Sequence, residues 1–133
     1  GNLLINARIP VVRPIGGHAV YIDAKKLIDH IPQSQFPGQA LTVALYRESG
    51  IRAVEIGSLM FASKNPRTGH WTYPKLELVR LTIPRRVYSA SHLEYVAESV
   101  IAIGKKRKHL KGLKLVYEPP FLRHFTAVLQ EIK

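Results

Sequence analysis

Arg80 interrupts an otherwise apolar stretch, residues 76–84, and it is the most informative candidate in the chain for a chemical role. Strand side chains alternate between two faces, so Arg80 shares a face with Leu78, whereas Val79 and Leu81 share the other. A buried guanidinium is costly unless an anion pairs with it, and its planar fork fits a carboxylate or a phosphate. The pattern therefore predicts an anion-binding Arg80; the alternative is an edge strand whose arginine reaches into water.

Two histidines are further candidates. His18 follows Gly16 and Gly17 and opens a predicted strand, where glycines permit a tight turn or a close backbone approach. His124 lies in a predicted strand, residues 122–132, among apolar neighbours. Histidines in such places are more often half-buried structural residues than catalysts, and both interpretations stay open for each.

Several other chemistries are excluded by what the sequence lacks. The Ser-x-x-Lys, His-Glu-x-x-His and Gly-x-Ser-x-Gly signatures and the glycine-rich phosphate loops are absent. The six histidines do not fall at metal-ligand spacing, and there is no cysteine for a thiolate nucleophile, a disulfide or a metal site. The lack of cysteine is typical of a cytoplasmic protein.

The net charge of +11 raises the question of a nucleic-acid partner. Six of the positive side chains lie within residues 105–114, at the end of a predicted helix, where cations complement the helix dipole. Aromatic residues are not interleaved with them as a base-stacking surface requires. A solvated helix end is therefore favoured over a nucleic-acid surface, and an acidic partner surface is the third possibility.

The 133 residues suit one domain, without an apolar run long enough to span a membrane, and the missing initial methionine indicates a fragment. Hydrophobic periodicity and turn residues predict an α+β domain with a mainly antiparallel sheet and helices on one face. The predicted helices are one capped by Asp23 and closed by Pro32, one at 37–49, and a long one opened by a Ser91–Glu94 capping box. The predicted strands lie at 51–59, around Arg80, at 113–117 and at 122–132, and short extended pieces lie at 11–14 and 18–22.

Four motifs point to a family. They are PIGGHAV at 14–20, GIRAVEIGS at 50–58, LVRLTIPRRVY at 78–88, and YEP at 117–119 followed by LRHFTA at 122–127. In this order and spacing they closely resemble the C-terminal part of the β-eliminating lyases, the family of tryptophanase and tyrosine phenol-lyase. The resemblance covers nearly the whole chain from about Ile9 onward.

This resemblance implies that residues 1–133 are the small C-terminal domain of a pyridoxal-phosphate enzyme with the fold type I, aminotransferase-like architecture. The large domain of such an enzyme carries the Schiff-base lysine, the phosphate-binding loop and a monovalent-cation site for potassium. No cofactor-binding residue is therefore expected in this chain, which by itself should be inactive. The resemblance also implies a homotetramer in the cytoplasm.

The resemblance assigns roles to six positions of this sequence. Arg80 matches the residue that binds the substrate α-carboxylate, and His18 matches a histidine near the active site. Val54 and Ile56 match an apolar pair beside the indole of tryptophanase, whereas tyrosine phenol-lyase has an arginine where Ile56 stands. His124 and Phe125 match the tryptophanase form, in which the phenol-lyase has two phenylalanines.

The parent protein is therefore predicted to be closer to tryptophanase and to cleave L-tryptophan into indole, pyruvate and ammonia, a step of aromatic amino acid catabolism. Tyrosine phenol-lyase activity is the first alternative, because the sequence from Arg85 to Tyr88 is closer to the phenol-lyase form. Arg8 stands where the family usually has a glycine. A stand-alone, non-catalytic binding or assembly module and a basic nucleic-acid binder are the alternatives from other classes.

Overall fold

The computed structural model describes residues 1–84 and 86–133; Arg85, in the third motif, lies outside the described residues. The helices are α1 (Asn2–Asn6), α2 (Ala24–Leu27), α3 (Pro37–Ser49), α4 (Ser58–Phe61), α5 (Ala90–Lys105) and α6 (Arg123–Thr126). The strands are β1 (Ala19–Asp23), β2 (Val54–Ile56), β3 (Ser63–Lys64), β4 (Trp71–Thr72), β5 (Leu78–Thr82), β6 (Leu113–Tyr117) and β7 (Val128–Glu131).

The central sheet has the strand order β1-β5-β2, and both of its pairings are antiparallel. β5 lies in the middle, so Arg80 is not on an edge strand, as the alternative interpretation required. Two separate antiparallel pairs, β3-β4 and β6-β7, complete the described sheet structure. The predicted α+β class with antiparallel sheets and helices is confirmed.

The core lies on one face of the central sheet. Val20, Ile22, Val79 and Leu81 are buried there, and they join one hydrophobic cluster with the helices. Burying a side chain of this size stabilises a fold by roughly 1.5–3 kcal/mol, so this face holds the sheet against the helices. The helical part of the cluster includes Leu41 and Leu45 of α3 and Val100 and Ile103 of α5.

Three local predictions agree with the structure. The side chain of Asp23 caps α2 by accepting a hydrogen bond from the backbone N–H of Lys26 at 3.3 Å. The long helix α3 begins at Pro37 and ends before Gly50, whose φ of 70° is a left-handed conformation that glycine adopts without strain. At Asp23, Pro37 and Gly50, the type of a single residue decides where a helix begins or ends.

Two predicted strands were too long, because each contains a helical turn that buried side-chain hydrogen bonds hold in place. The strand predicted at 51–59 ends at Ile56, and α4 follows because Glu55 and Glu77 accept bonds from its first N–H groups. The strand predicted at 122–132 is interrupted by α6, where Arg123 binds the carbonyl groups of α4.

Two predictions about helix ends were also wrong. The long helix α5 is capped by Ser89 with His92, two residues before the predicted Ser91 box; the Nδ1 of His92 accepts from the Ser89 N–H at 3.2 Å. The helix after Asp23 ends at Leu27, whereas the periodic pattern extended it to Pro32.

Candidate functional site

Arg80 lies at the centre of the sheet face that the helices leave open. Its register partners are Tyr21 on β1 and Val54 on β2, so the three side chains form one row across the sheet. Directly opposite residues of antiparallel strands have Cβ atoms about 4.5–5.5 Å apart. The arginine therefore stands between an aromatic and an aliphatic side chain.

The guanidinium of Arg80 has an unsatisfied donor. Its Nε atom is buried and makes no hydrogen bond, although the residue as a whole is only half-buried. Among the described residues no carboxylate forms an ion pair with it. Buried polar atoms in folded proteins nearly always have a partner, so this arrangement fits an anion supplied from outside the chain.

Val54 and Ile56 flank the arginine on the same face. Val54 lies opposite Arg80 and is 46% exposed, and half-buried Ile56 lies opposite Leu78. Glu55, between them, points to the other side and is 5% exposed. The structure thus agrees with the predicted alternation and brings Arg80, Val54 and Ile56 together on one open surface.

His124 and Phe125 lie on the helical turn α6, and the predicted strand alternation does not apply to them. Their ring centroids are 4.2 Å apart with a tilt of 40°. His124 is half-buried, whereas Phe125 is 73% exposed, so the pair presents an aromatic surface with one polar ring.

Arg123, which the sequence did not single out, fixes the position of that turn. Its Nε donates to the carbonyl oxygen of Leu59 at 2.6 Å and its Nη2 to that of Ser58 at 2.5 Å. Its Nη1 pairs with Glu118 at 3.0 Å, and the guanidinium lies 5.0 Å from the ring centroid of Trp71. Because α4 begins two residues after Ile56, these bonds connect the aromatic pair to the end of β2.

His18 is placed apart from this group. It is exposed, just before β1, and its backbone carbonyl accepts from the Ile83 N–H at 2.8 Å. In the described part of the chain its imidazole makes no hydrogen bond. Tyr21, three residues further along, is the one that pairs with Arg80, so the structure does not bring His18 into the row.

A pair of buried carboxyl groups lies behind β2. Burial, and then the charge of Glu77, raises the pKa of Glu55 from 4.5 to about 7, although N–H groups of α4 and Gly57 act in the opposite direction. Glu77 is fully buried.

The clefts found elsewhere among the described residues are not lined by Tyr21, Arg80 or Val54. An apolar cleft of about 480 Å³ opens beside Val20 and Leu81, lined by Tyr88, His92 and Tyr95, but it does not reach Arg80. The arginine face is thus an open surface in this chain. Within the described residues, no group of three or more acidic or histidine side chains could hold a metal ion, and no helix is long and apolar enough to cross a bilayer.

The basic segment, residues 105–114, begins at the end of α5 and reaches into β6, which carries Lys114. Nη1 of Arg107 donates to the carbonyl oxygen of Gly104 at 3.0 Å, and Lys106 pairs with Glu48 at 3.4 Å. The Arg107 bond is the contact between a cation and the carbonyl end of a helix that was expected.

No protein-family model matches the chain. A tyrosine phenol-lyase from Symbiobacterium thermophilum is 57% identical over 132 residues, which are 99% of this chain and 29% of that protein. One from Pasteurella multocida is 54% identical over 121 residues, 91% of this chain and 26% of that protein. A tryptophanase from Hyphomonas neptunium is 49% identical over 124 residues, 93% of this chain and 27% of that protein.

The chain therefore spans less than a third of the length of the curated relatives that it matches. Overall identity does not favour the predicted closeness to tryptophanase, because both enzyme names occur among relatives of similar identity. Over nearly its whole length, about half of the chain's residues are identical to those of proteins named tyrosine phenol-lyase or tryptophanase, so the resemblance that its motifs predicted is confirmed.

Proposed function

We propose, from the chain's similarity to part of the tyrosine phenol-lyases and tryptophanases, that it is the substrate-binding C-terminal domain of an enzyme that cleaves an aromatic amino acid. The observation that carries this proposal is the unpartnered, buried Nε of Arg80 on an open face flanked by Val54 and Ile56. A free cationic fork beside apolar side chains suits a ligand with a carboxylate at one end and an aromatic ring at the other.

In the proposed role, Arg80 binds the substrate α-carboxylate through two parallel hydrogen bonds. Both bonds are charge-assisted, and a planar fork restricts rotation of the bound group more than a single contact does. The amino acid is thereby oriented about its Cα atom, which is how positioning lowers the barrier of the reaction.

Val54 and Ile56 form the apolar wall for the side chain, and they favour tryptophan as the substrate. Indole is large and apolar, whereas the hydroxyl group of tyrosine would be left unpaired against Ile56 at an energetic cost. His124 adds the polar ring of the aromatic pair, which Arg123 connects to α4 and so to the end of β2. The products would be indole, pyruvate and ammonia.

Tyrosine is the second candidate substrate. It is favoured by relatives named tyrosine phenol-lyase that are 57% and 54% identical to this chain. In that case a residue outside the chain must handle the phenolic hydroxyl group, since Ile56 has no polar atom to offer.

The residues of this chain do not fit the role of holding pyridoxal phosphate. All the lysines that the structure describes are exposed, whereas an amine that reacts with the cofactor aldehyde has its pKa lowered by burial or by neighbouring cations. We infer that pyridoxal phosphate, the electron sink for the reaction, and potassium are held by a large domain outside this chain. That domain would also cover the arginine face, and the full-length protein would assemble as a cytoplasmic homotetramer.

Product release by the full-length protein tests the proposal. The protein is supplied with pyridoxal phosphate and potassium and offered tryptophan and tyrosine separately. Indole from tryptophan without phenol from tyrosine is the expected result, and phenol release would favour the second candidate. Release of neither product would overturn the enzyme proposal in favour of a non-catalytic module.

A further inference from the structure

Two buried carboxyl groups meet behind the substrate face, and the proposed function does not use them. Glu55 is 5% exposed and lies on β2 between Val54 and Ile56. Glu77 is fully buried and lies immediately before β5, the strand that carries Arg80. A glutamate in β2 and another directly before β5 thus lie in the interior.

The glycine that ends β2 shows how close the two groups are. A Cβ atom on Gly57 would collide with Oε2 of Glu77 and would lie only 2.7 Å from Oε1 of Glu55. Gly38, at the start of α3, borders the same space, since its Cβ would lie 3.1 Å from the Glu55 side chain. The two carboxyl oxygens are therefore neighbours in a space that only glycines leave open.

Hydrogen-bond donors are distributed unequally between the two groups. Oε1 of Glu77 accepts from the N–H and the hydroxyl of Ser58 and from Nε2 of Gln33. The two oxygens of Glu55 accept one backbone N–H each, from Leu59 and Met60, both at 3.2 Å. Oε2 of Glu77 is buried without any partner. The donors thus converge on Oε1 of Glu77, and its second oxygen, beside Glu55, is left unsatisfied.

We propose that Glu55 and Glu77 hold one proton between them, donated by Glu55 to the unpartnered Oε2 of Glu77, and that this pair positions Val54 and Ile56. Two neighbouring buried carboxylates repel, and neutralising one removes both the repulsion and much of the desolvation cost. The proton also gives Oε2 of Glu77 the hydrogen bond that it lacks. The raised pKa of Glu55, about 7, agrees with this arrangement.

The pair connects the parts of the proposed site. Glu55 holds β2 against the first N–H groups of α4, and Glu77 holds the start of β5 to Ser58 of the same helix. Arg123 then ties α4 to the turn that carries His124. Loss of the proton would place two charges between β2 and β5, and the spacing of Ile56 from Arg80 would change.

The charged groups around the pair are few in the described structure. α3 presents its N-terminus through Pro37 and Gly38, without an acidic side chain in its first turn. On β1 and α2, Asp23 is paired with Lys26 at 3.3 Å. Arg123 is bound to α4 carbonyl groups and to Glu118. None of these cations makes a hydrogen bond or an ion pair with Glu55 or Glu77.

The shared proton is tested by infrared difference spectroscopy on the full-length protein. Wild type should show the carbonyl band of a buried, protonated carboxyl group at about pH 6 and lose it by about pH 8.5, on either side of the value of about 7. Glu55→Gln should remove the band, and Glu77→Gln should shift its loss to lower pH because the repelling charge is gone. Glu98→Gln, an exposed position on α5, is the control. A wild-type spectrum without the band, or a band that survives Glu55→Gln, would overturn the shared proton.

The positioning role rests on the proposed function and has two readouts. The first is the NMR resonance of the Ile56 δ1-methyl group, which the Ile56→Leu variant identifies by its absence. Its chemical shift should change with pH in wild type, with a midpoint near pH 7, and should not change in Glu55→Gln. As the pH rises from about 6 to about 8.5, the KM of wild type for the aromatic substrate should increase several-fold relative to the KM of Glu55→Gln. The kcat values should stay nearly unchanged. A methyl resonance that does not titrate, or equal KM profiles, would contradict positioning. If neither tryptophan nor tyrosine is cleaved, the proposed function fails, whereas the infrared and methyl results still decide the proton pair.

Discussion

Arg80 and Val54 lie directly opposite each other on neighbouring antiparallel strands, so that a cation and an apolar side chain leave the same face of the sheet. The cation has a buried Nε without a partner, and half of Val54 is covered by nothing in this chain. The surface can therefore bind an anion at Arg80 and an apolar group at Val54, a few ångströms apart.

Replacing Arg80 by lysine tests the anion-binding role. A lysine keeps the charge but loses the planar fork, so Arg80→Lys in the full-length enzyme should lower kcat/KM by about 10- to 100-fold, equivalent to one charge-assisted bond of about 1.5–3 kcal/mol. Steady-state kinetics measure the loss. The matched control is Arg52→Lys, at an exposed arginine that stacks on Tyr46. Near-normal kinetics of Arg80→Lys would remove this residue from the site.

Ile56 should control which leaving group is accepted. Ile56→Arg places a donor beside the side chain of the substrate, and it should shift the ratio of kcat/KM for tyrosine over tryptophan upward by at least about 10-fold. The conservative variant Ile56→Leu keeps the wall apolar and should leave the ratio nearly unchanged. If both variants have the wild-type ratio, Ile56 does not contact the reacting side chain.

Arg123 should be required for stability and not only for the site. Arg123→Met leaves the carbonyl oxygen of Leu59 without its described donor, whereas that of Ser58 keeps the N–H of Ala62; an unsatisfied buried group costs about 1–3 kcal/mol. The thermal midpoint of the full-length protein should fall by several degrees. Arg47→Met, which breaks an exposed ion pair with Glu131, should change it little. Equal midpoints for the two variants would mean that α6 is held by other contacts.

The buried Glu55 should make stability depend on pH in a defined direction. Its pKa is raised from 4.5 to about 7, so between these values the folded state keeps a proton that the unfolded state has released. Stability should therefore fall as pH rises through this range, by up to about 3 kcal/mol, and level off above it. Unfolding of wild type and Glu55→Gln over pH 4–9 measures this effect. The variant should lack this decrease; parallel curves would mean that Glu55 titrates alike in both states.

The chain by itself should neither catalyse nor hold the cofactor. Its lysines are exposed, so the isolated 133 residues mixed with pyridoxal phosphate and reduced with borohydride should give only substoichiometric modification spread over several lysines. Mass spectrometry and peptide mapping measure this. A one-to-one adduct at a single lysine would show that a cofactor-binding lysine is present here.

Elements decided by local interactions were predicted well from the sequence. The bounds of α3 follow from a proline at its start and Gly50 at its end, and β6 was predicted over the residues that form it. The shared face of Val54 and Ile56 followed from alternation alone. For β5, alternation placed Arg80 and Leu78 on one face, but it could not show that this face stays open and that the strand is central.

The two errors in the strands occur where a side chain from a distant part of the chain supplies a buried bond. Glu77 accepts from the first N–H group of α4, 19 residues away, and Arg123 ties α6 to the carbonyl oxygen of Leu59, 64 residues away; no local pattern distinguishes these two side chains from exposed ones. His124 was consequently assigned to a strand, and the Glu55–Glu77 pair was not foreseen.

The sequence by itself thus determined the fold class, the resemblance to the β-eliminating lyases and the position of an arginine in an apolar strand, because these depend on residue types and on periodicity along the chain. The tertiary structure decided which residues meet: Tyr21, Arg80 and Val54 in one row, Arg123 against the carbonyl groups of α4, and two glutamates beside glycines. The physical reason is that strand register and the burial of charge are set by packing between distant segments, which act only once the chain is folded.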